Sequence, residues 1–365
     1  MKILALVADG VRNLAPLTLE PRERFNVFAG DNGQGKTNLL EAIFVAASLR
    51  SFRTSKLADL VAFGREAATL GARVEKQGLT RVYEVELGAG TRKVRLDGKT
   101  PRPLSRYFGG FNVVVFTPED LALPRGAPSD RRRFLDRGVF NLRADYLPLA
   151  QDYERVLKTR NAVLRQAGDE RITRAAAEDL LAVYDVQLAE FGAGVTAARV
   201  GFLTELAGEL ERAFAAITRT GLTAGARYLV RAGDGTPDGI LAAIRAARHK
   251  DFATSATQVG PHRDDVAFEL EGRDAGAFAS QGQLRAIMLA WKTAELAVLG
   301  RTHGDFPILL LDDVSSELDP QRNEYLFAHL ATLAGQCFIT TTHPSHVLLG
   351  NERADYRIQA GRIIA

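Results

Sequence analysis

The stretch "GDNGQGKT", Gly30 to Thr37, sets glycines, a lysine and a hydroxyl at the spacing G-x-x-x-x-G-K-[ST]. Glycines at these places let the backbone turn tightly, so that N–H groups converge on phosphate oxygens. Lys36 has the reach to touch β and γ phosphates, and the Thr37 hydroxyl is a hard oxygen ligand suited to Mg²⁺. A helix beginning here points the positive end of its dipole at the same anion. Gly30, Asp31, Asn32, Gly33, Gln34, Gly35, Lys36 and Thr37 are therefore the expected nucleotide-binding residues.

A phosphate loop needs a carboxylate for its metal. "ILLLDD" ends an apolar run with Asp312, placed to hold Mg²⁺ mostly through water, and Asp313, placed to polarise an attacking water as general base. "CFITTTH" ends a second such run with His343, where a histidine can stabilise γ-phosphate charge. With Lys36, Asp313 and His343 form the expected catalytic set, and Thr37 with Asp312 the expected metal set.

"SQGQLRAIMLAWKTAELA" has a different character. Ser280, Gln281, Gly282 and Gln283 are small or polar and precede a long apolar-periodic run. Serine followed three residues later by glutamine is a capping-box pattern, so the tetrad reads locally as the start of a helix.

These groups need elements to position them. "RFNVFAG", "RVYEVEL" and "FNVVVFT" read as strands, and a helix is expected from Thr37 to about Leu49. "RKVRLDGKT" reads as a hairpin, because Asp97-Gly98 is a strong turn dipeptide. From about residue 119 to 250 the chain turns rich in Ala, Leu, Arg and Glu with helical periodicity, too often broken by Gly and Pro for a long coiled coil. "PILLLDD" and "CFITTTH" then have the continuous apolar character of parallel strands buried on both faces. The expected fold class is α/β, with an ATPase lobe from 1–118 and 252–365 and an inserted helical lobe at 119–251.

A chain of 365 residues has room for two such domains, and its 46% apolar and 25% charged residues are ordinary for a globular protein. The formal charge of +3 permits a polyanionic partner without demanding one. Cys337 is the single cysteine, which excludes an internal disulfide and suits a buried position. No signal peptide and no membrane span is expected, and a reducing cytoplasm fits best.

In chain order, the phosphate loop, "SQGQ", "ILLLDD", "SELD" and "TTTH" resemble the ATPase head of the ABC superfamily: a P-loop ATPase with a mixed sheet and flanking helices. "FAGDNGQGKTNLLEAI" is similar to the branch holding SMC-type and RecF proteins, in which Asn follows the loop's Thr or Ser. That adds Asn38 to the nucleotide residues. "SFRTSKLADLV", "TPEDLALPRGAPSDRRRFLD" and "VGPHRDD" narrow the resemblance to the RecF family, over nearly the whole chain.

The resemblance implies slow ATP hydrolysis with Mg²⁺. It implies a head-to-tail homodimer formed on ATP, in which Ser280 to Gln283 cap the partner's nucleotide in trans. It also implies binding to duplex, gapped or junction DNA, and recombinase loading with RecO and RecR in recombinational repair and at replication forks. Two departures stand out. The acid pair is Asp-Asp where ABC transporters carry Asp-Glu, so Asp313 reaches less far. "TPED" has no glutamine where a Gln loop is expected, leaving Glu119 or Asp120 as substitutes.

Candidate DNA contacts are Arg50, Arg53 and Lys56, since duplex DNA is held mainly by Lys and Arg on phosphate. Arg131, Arg132 and Arg133 read instead as one helix whose arginines pair with Asp130 and Asp136. An ATPase subunit of an ABC membrane transporter shares every nucleotide motif but has no use for the large helical insertion. A small-molecule P-loop kinase has no need of "SQGQ" or "SELD".

Overall fold

The computed structural model of the chain describes residues 1–365 apart from 232, 334, 351 and 365. Contacts divide the described chain into two units. One comprises Met1–Ala122, Arg212–Gly221 and Arg285–Ala365; the other comprises Leu123–Glu211 and Leu222–Leu284.

The first unit opens with β1 (Lys2–Asp9), β2 (Leu17–Leu19), β3 (Phe25–Ala29), α1 (Lys36–Ser48), β4 (Ala67–Lys76), β5 (Leu79–Gly88), β6 (Thr91–Leu96) and β7 (Val113–Phe116). Strands β2-β1-β4-β5-β6 form an antiparallel sheet. Alternate residues of β4 and β5 are buried, as expected of a sheet with one face on a core. Asp97 and Gly98 both take positive φ at the β6 turn, but the returning arm pairs only at Leu96–Lys99, so the expected hairpin is a single bridge long.

The second unit holds α2 (Pro128–Leu142), α3 (Tyr146–Gly168), most of α4 (Arg174–Thr218), β8 (Ala224–Leu229), α5 (Pro237–Ala246), α6 (Arg248–Thr254), β9 (Asp265–Leu270), β10 (Arg273–Asp274), α7 (Ala275–Phe278) and the first turn of α8 (Gln281–His303). Two expectations are corrected here. The lobe is not purely helical, because β8, β9 and β10 form a three-stranded antiparallel sheet. Since β9 pairs with β8, residues up to Leu284 belong to this unit, and the division falls at 284/285 instead of 251/252. Glycines that interrupt the heptads lie inside α4. A side chain on Gly192 would sit 3.3 Å from Tyr153 and Pro261, and one on Gly194 would sit 3.1 Å from Leu149. They permit close packing and do not end the helix.

The chain completes the first unit with β11 (Ile308–Asp312), α9 (Pro320–Leu333), β12 (Cys337–Thr341), β13 (Arg353–Gln359) and β14 (Arg362–Ile364). The second sheet of this unit runs β14-β13-β3-β12-β11-β7; β14 is antiparallel and the other five strands are parallel. Every residue of β11 and β12 is buried, which accounts for their unbroken apolar runs, and Cys337 is fully buried. Helix α1 touches β4 and β5 of one sheet and β7, β11 and β12 of the other. Burial on all sides explains why its apolar residues form no stripe.

Candidate functional site

Strand β3 lies inside the parallel sheet and delivers the chain to Gly30 at the strand's C-terminal end. A Cβ on Gly30 would meet the Ile358 carbonyl oxygen at 2.3 Å, so only glycine fits. Gly33 and Gly35 adopt φ of 80° and 106°, and α1 begins at the next residue. The loop is held from outside. The Ala360 and Gly361 amides of the β13–β14 turn donate to Gln34 Oε1 at 2.6 Å and to the Gln34 carbonyl at 2.9 Å. Asn13 Nδ2 donates to the Gly33 carbonyl at 2.8 Å, and Asn38 Nδ2 donates to Asn13 Oδ1 at 2.6 Å.

Lys36 is buried, with Nζ donating to the carbonyls of Gly30 (2.6 Å) and Asp31 (2.9 Å). Burial lowers its pKa, opposed by the carboxylates of Asp313, Asp312 and Asp31. The lysine thus folds over the mouth of its own loop.

Asp312 ends β11 at 8% exposure. Its Oδ1 accepts the Thr37 hydroxyl at 2.8 Å and the Thr340 hydroxyl at 2.7 Å. Burial raises its pKa, the two hydroxyls lower it, and Glu119 and Asp313 raise it again. Asp313 has φ 51°; its amide donates to the Thr340 carbonyl at 3.1 Å, and its Oδ1 accepts Ser316 Oγ at 2.6 Å. His343 follows β12, exposed, its ring 5.1 Å from that of His346 and its amide donating to Thr341 Oγ1 at 3.0 Å. The parallel pairing of β3, β12 and β11 gathers all three strand ends at one edge. Of the two candidates after β7, Asp120 is buried and accepts the Thr117 amide at 3.2 Å, whereas Glu119 is exposed and acts on the charge of Asp312.

The donor set suits Mg²⁺. Thr37 Oγ1 and Asp312 Oδ1 are hard oxygens, and among the described residues no three or more His, Cys, Asp or Glu are grouped so as to hold a metal ion by themselves. One hydroxyl and one carboxylate fit a cation that keeps water and takes its other ligands from phosphate.

In the second unit Ser280 caps α8. Its amide donates to Gln283 Oε1 at 2.8 Å and its hydroxyl accepts the Gln283 amide at 3.2 Å, a reciprocal capping box. Arg125 steadies the approach by donating to the carbonyls of Gly276 (3.0 Å) and Ala279 (2.8 Å). The amides of Gln281 and Gly282 have no partner among the described residues. Ser280 and Gln281 are exposed, with Phe278 beside them at 73% exposure.

Residues 2–361 match the family model described as RecF/RecN/SMC N terminal domain. A protein of Myxococcus xanthus (strain DK1622), called DNA replication and repair protein RecF, is 42% identical over 95% of this chain and 92% of its own length. This chain belongs to the RecF family. A second RecF protein, from Anaeromyxobacter sp. (strain Fw109-5), is 40% identical over all of this chain and 99% of itself. A solved structure described as the recombination mediator protein RecF-ATP in RecFOR pathway aligns with TM-score 0.89 and 31% identity, covering 99% of this chain and 96% of that one. An Smc head bound to the C-winged helix domain of ScpA shares the fold alone, at TM-score 0.55 and 12% identity over 100% of this chain and 98% of that one. The ABC-type head with an inserted unit is therefore the fold of this RecF-family chain.

The structure of this RecF-family member separates its basic candidates. Arg50 and Lys56 are exposed, and their side chains make no ion pair among the described residues. Arg53 instead donates to Asn38 Oδ1 at 2.7 Å and to Glu41 Oε2 at 3.3 Å. Glu41 is fully buried and gripped by Arg12 through both oxygens, at 2.9 and 3.0 Å. Sequence reasoning missed Glu41, Arg12 and Asn13, although an acid inside the apolar run "NLLEAIFV" was a signal for a buried charge needing partners. Arg131 pairs with Asp265 at 2.7 Å, Arg132 donates to the Asp264 carbonyl at 2.8 Å, and Arg133 pairs with Asp130. Asp136, expected to pair within the helix, binds Arg199 at 2.8 and 3.0 Å and Tyr146 at 2.5 Å.

Proposed function

We propose that this RecF-family chain is an ATP-switched DNA-binding protein of recombinational repair and replication-fork maintenance. The observation that carries the switch is the Thr37–Asp312 hydrogen bond, which joins the phosphate loop to the end of β11 at a point suited to a metal. In this reading residues Gly30 to Asn38 hold ATP and Lys36 leaves its two carbonyls for the terminal phosphates. Thr37 and Asp312 hold Mg²⁺, which supplies charge neutralisation when bound. Asp313 orients or deprotonates water, and His343 steadies the γ-phosphate.

Two copies then join head to tail. The exposed N-terminus of α8, with its open Gln281 and Gly282 amides, faces the partner's nucleotide as an anion site. The dimer holds duplex, gapped or junction DNA, with Arg50 and Lys56 among the phosphate contacts, and helps load recombinase with RecR and RecO. Slow hydrolysis releases it. The relatives named DNA replication and repair protein RecF, and the solved neighbour described with ATP in the RecFOR pathway, support this reading.

Light scattering with and without ATP and Mg²⁺, and with and without gapped duplex, tests it. The expected result is a doubling of mass on ATP and tighter binding to gapped duplex in the dimeric state. A protein that binds ATP yet stays monomeric with and without DNA overturns the switch.

A further inference from the structure

The first unit contains a second concavity built by β5, the β6 turn and the segment that follows. It holds about 780 Å³ and opens to solvent, a volume within the roughly 300–1,000 Å³ range of small-molecule sites. Arg81, Lys99, Arg102 and Arg106 line it against the single carboxylate of Asp97. Asp97 is engaged by Arg81 at 3.4 Å and by the Val82 amide at 2.9 Å. Lys99, Arg102 and Arg106 are exposed and make no ion pair among the described residues, which leaves an excess of positive charge facing one cavity.

Tyr83 distinguishes this from an ordinary basic surface. It is 1% exposed, wedged edge-on against Tyr107 and tilted against Phe111. Its hydroxyl comes to the cavity wall at Gly110, where a Cβ would lie 2.3 Å away. Tyr107 next to it donates to the Ala46 carbonyl at 2.5 Å, whereas the Tyr83 hydroxyl has no hydrogen-bond partner among the described residues. The oxygen itself is not sealed from solvent, so it opens onto the cavity, where water or a ligand can meet it. Burial pushes its pKa up to about 12, so it stays a donor at neutral pH. Donors and cations around the cavity call for an anion, and Phe108 adds an aromatic face to the wall.

A duplex presents phosphates on a convex cylinder with its bases stacked inside, so it offers no free base face to an aromatic wall. An unstacked nucleotide has both a phosphate and a free base face, and base-on-aromatic stacking is the usual means of holding one. We propose that this pocket takes one unpaired nucleotide, its phosphate on Lys99, Arg102 and Arg106 with the Tyr83 hydroxyl donating to it, and its base against Phe108. The nucleotide comes from a single-stranded end or from free nucleotide. The site uses no phosphate-loop residue, so it stands or falls apart from the ATP switch.

The test is fluorescence anisotropy of a labelled, short 5′-phosphorylated oligothymidylate, with ADP saturating the phosphate loop and dTMP as competitor. Arg102→Glu/Arg106→Glu is expected to weaken binding by about tenfold or more, from the loss of charge-assisted contacts. Tyr83→Phe, which keeps the buried ring, is expected to weaken it about threefold or more while leaving ADP binding and the melting temperature near wild type. Competition by dTMP identifies free nucleotide as a source; binding of the oligomer without competition identifies a strand end, and either supports the pocket. Absence of binding by both probes, or equal binding by wild type and both variants, overturns it. Loss of ATP-driven dimerisation with oligomer binding intact would overturn the switch and leave the pocket standing.

Discussion

Thr37 and Asp312 lie 275 positions apart and share a 2.8 Å hydrogen bond, the hydroxyl donating to Oδ1. Thr340 Oγ1 donates to the same oxygen at 2.7 Å, so a single buried carboxylate ties together the starts or ends of α1, β11 and β12. Its pKa is raised, chiefly by burial. A group whose folded pKa lies above its unfolded one adds stability below the unfolded pKa and loses it as pH rises through the folded pKa. In its charged form Asp312 therefore works against the fold until a cation arrives.

The first prediction follows from that conflict. Asp312→Asn without nucleotide or metal is expected to melt a few degrees above wild type at neutral pH, the gain shrinking as pH falls into the acid range. The same variant is expected to lose ATP hydrolysis by about 100-fold or more, since a metal supplies several kcal/mol of charge stabilisation. It also loses the extra thermal shift that Mg²⁺ adds to ATP. Melting curves with and without MgATP check both, and a variant less stable than wild type at neutral pH without ligand refutes the account.

Arg53 and Lys56 lie three positions apart but have different surroundings. Arg53 braces Asn38 and the buried Glu41 beside the phosphate loop, whereas the Lys56 side chain is exposed and makes no ion pair among the described residues. Lys56→Glu is expected to weaken duplex binding and to lower the salt slope of log K by about 1, with ATP affinity unchanged. Arg53→Ala is expected to weaken ATP binding several-fold through the loosened loop. Salt titrations of DNA binding beside titrations with a fluorescent ATP analogue separate the two. Equal effects of both substitutions on both ligands would remove the distinction.

Much of this was legible in the chain because it is local. The loop from Gly30 to Thr37 is contiguous, Ser280 and Gln283 cap each other across one turn, and β11 and β12 are apolar because parallel neighbours cover both faces. What was hidden depends on distant partners. Gln34 is held by Ala360 across 326 positions, and Glu41 needs Arg12 and Arg53, which no periodicity announces. Strand β8, "AGARYL", is short, small-residued and only partly buried, so its pairing with β9 left almost no trace. The glycines of α4 only interrupt its heptads in the sequence, and the residues packed against them, such as Leu149 and Pro261, lie far off in the chain.

His262 gives the second unit a pH dependence. Its Nε2 lies 3.1 Å from the Thr257 carbonyl, which only accepts, so Nε2 carries the proton and Nδ1 accepts the Tyr153 hydroxyl at 2.6 Å. Burial, with Arg263, Arg132 and Arg160 nearby, pushes its pKa down to about 4 from 6.5, against the hydrogen bond at Thr257. A lowered folded pKa gives stability that is complete above 6.5 and is lost as pH falls through about 4. The full loss is on the order of 3 kcal/mol. His262→Gln is expected to be less stable than wild type at pH 8 but to flatten the decline across that window. Hydrogen exchange of α3 and α4 amides as a function of pH measures it, and an unchanged slope in the variant would refute the assignment.

Ser280 can be a helix cap alone or a cap that also serves a partner's phosphate, and two substitutions tell these apart. Ser280→Arg removes an acceptor worth about 1 kcal/mol to the helix and projects a long cation from its exposed end. Ser280→Asp keeps the capping acceptor and adds a negative charge where the open Gln281 and Gly282 amides would receive an anion. If the residue only caps, Asp behaves as wild type. If the tetrad meets a partner's nucleotide, both variants bind ATP through the intact phosphate loop, yet neither forms the ATP-dependent dimer: Arg by bulk, Asp by repulsion. Light scattering with ATP binding measured in parallel decides the matter, and an Asp variant that dimerises as readily as wild type would falsify the trans role.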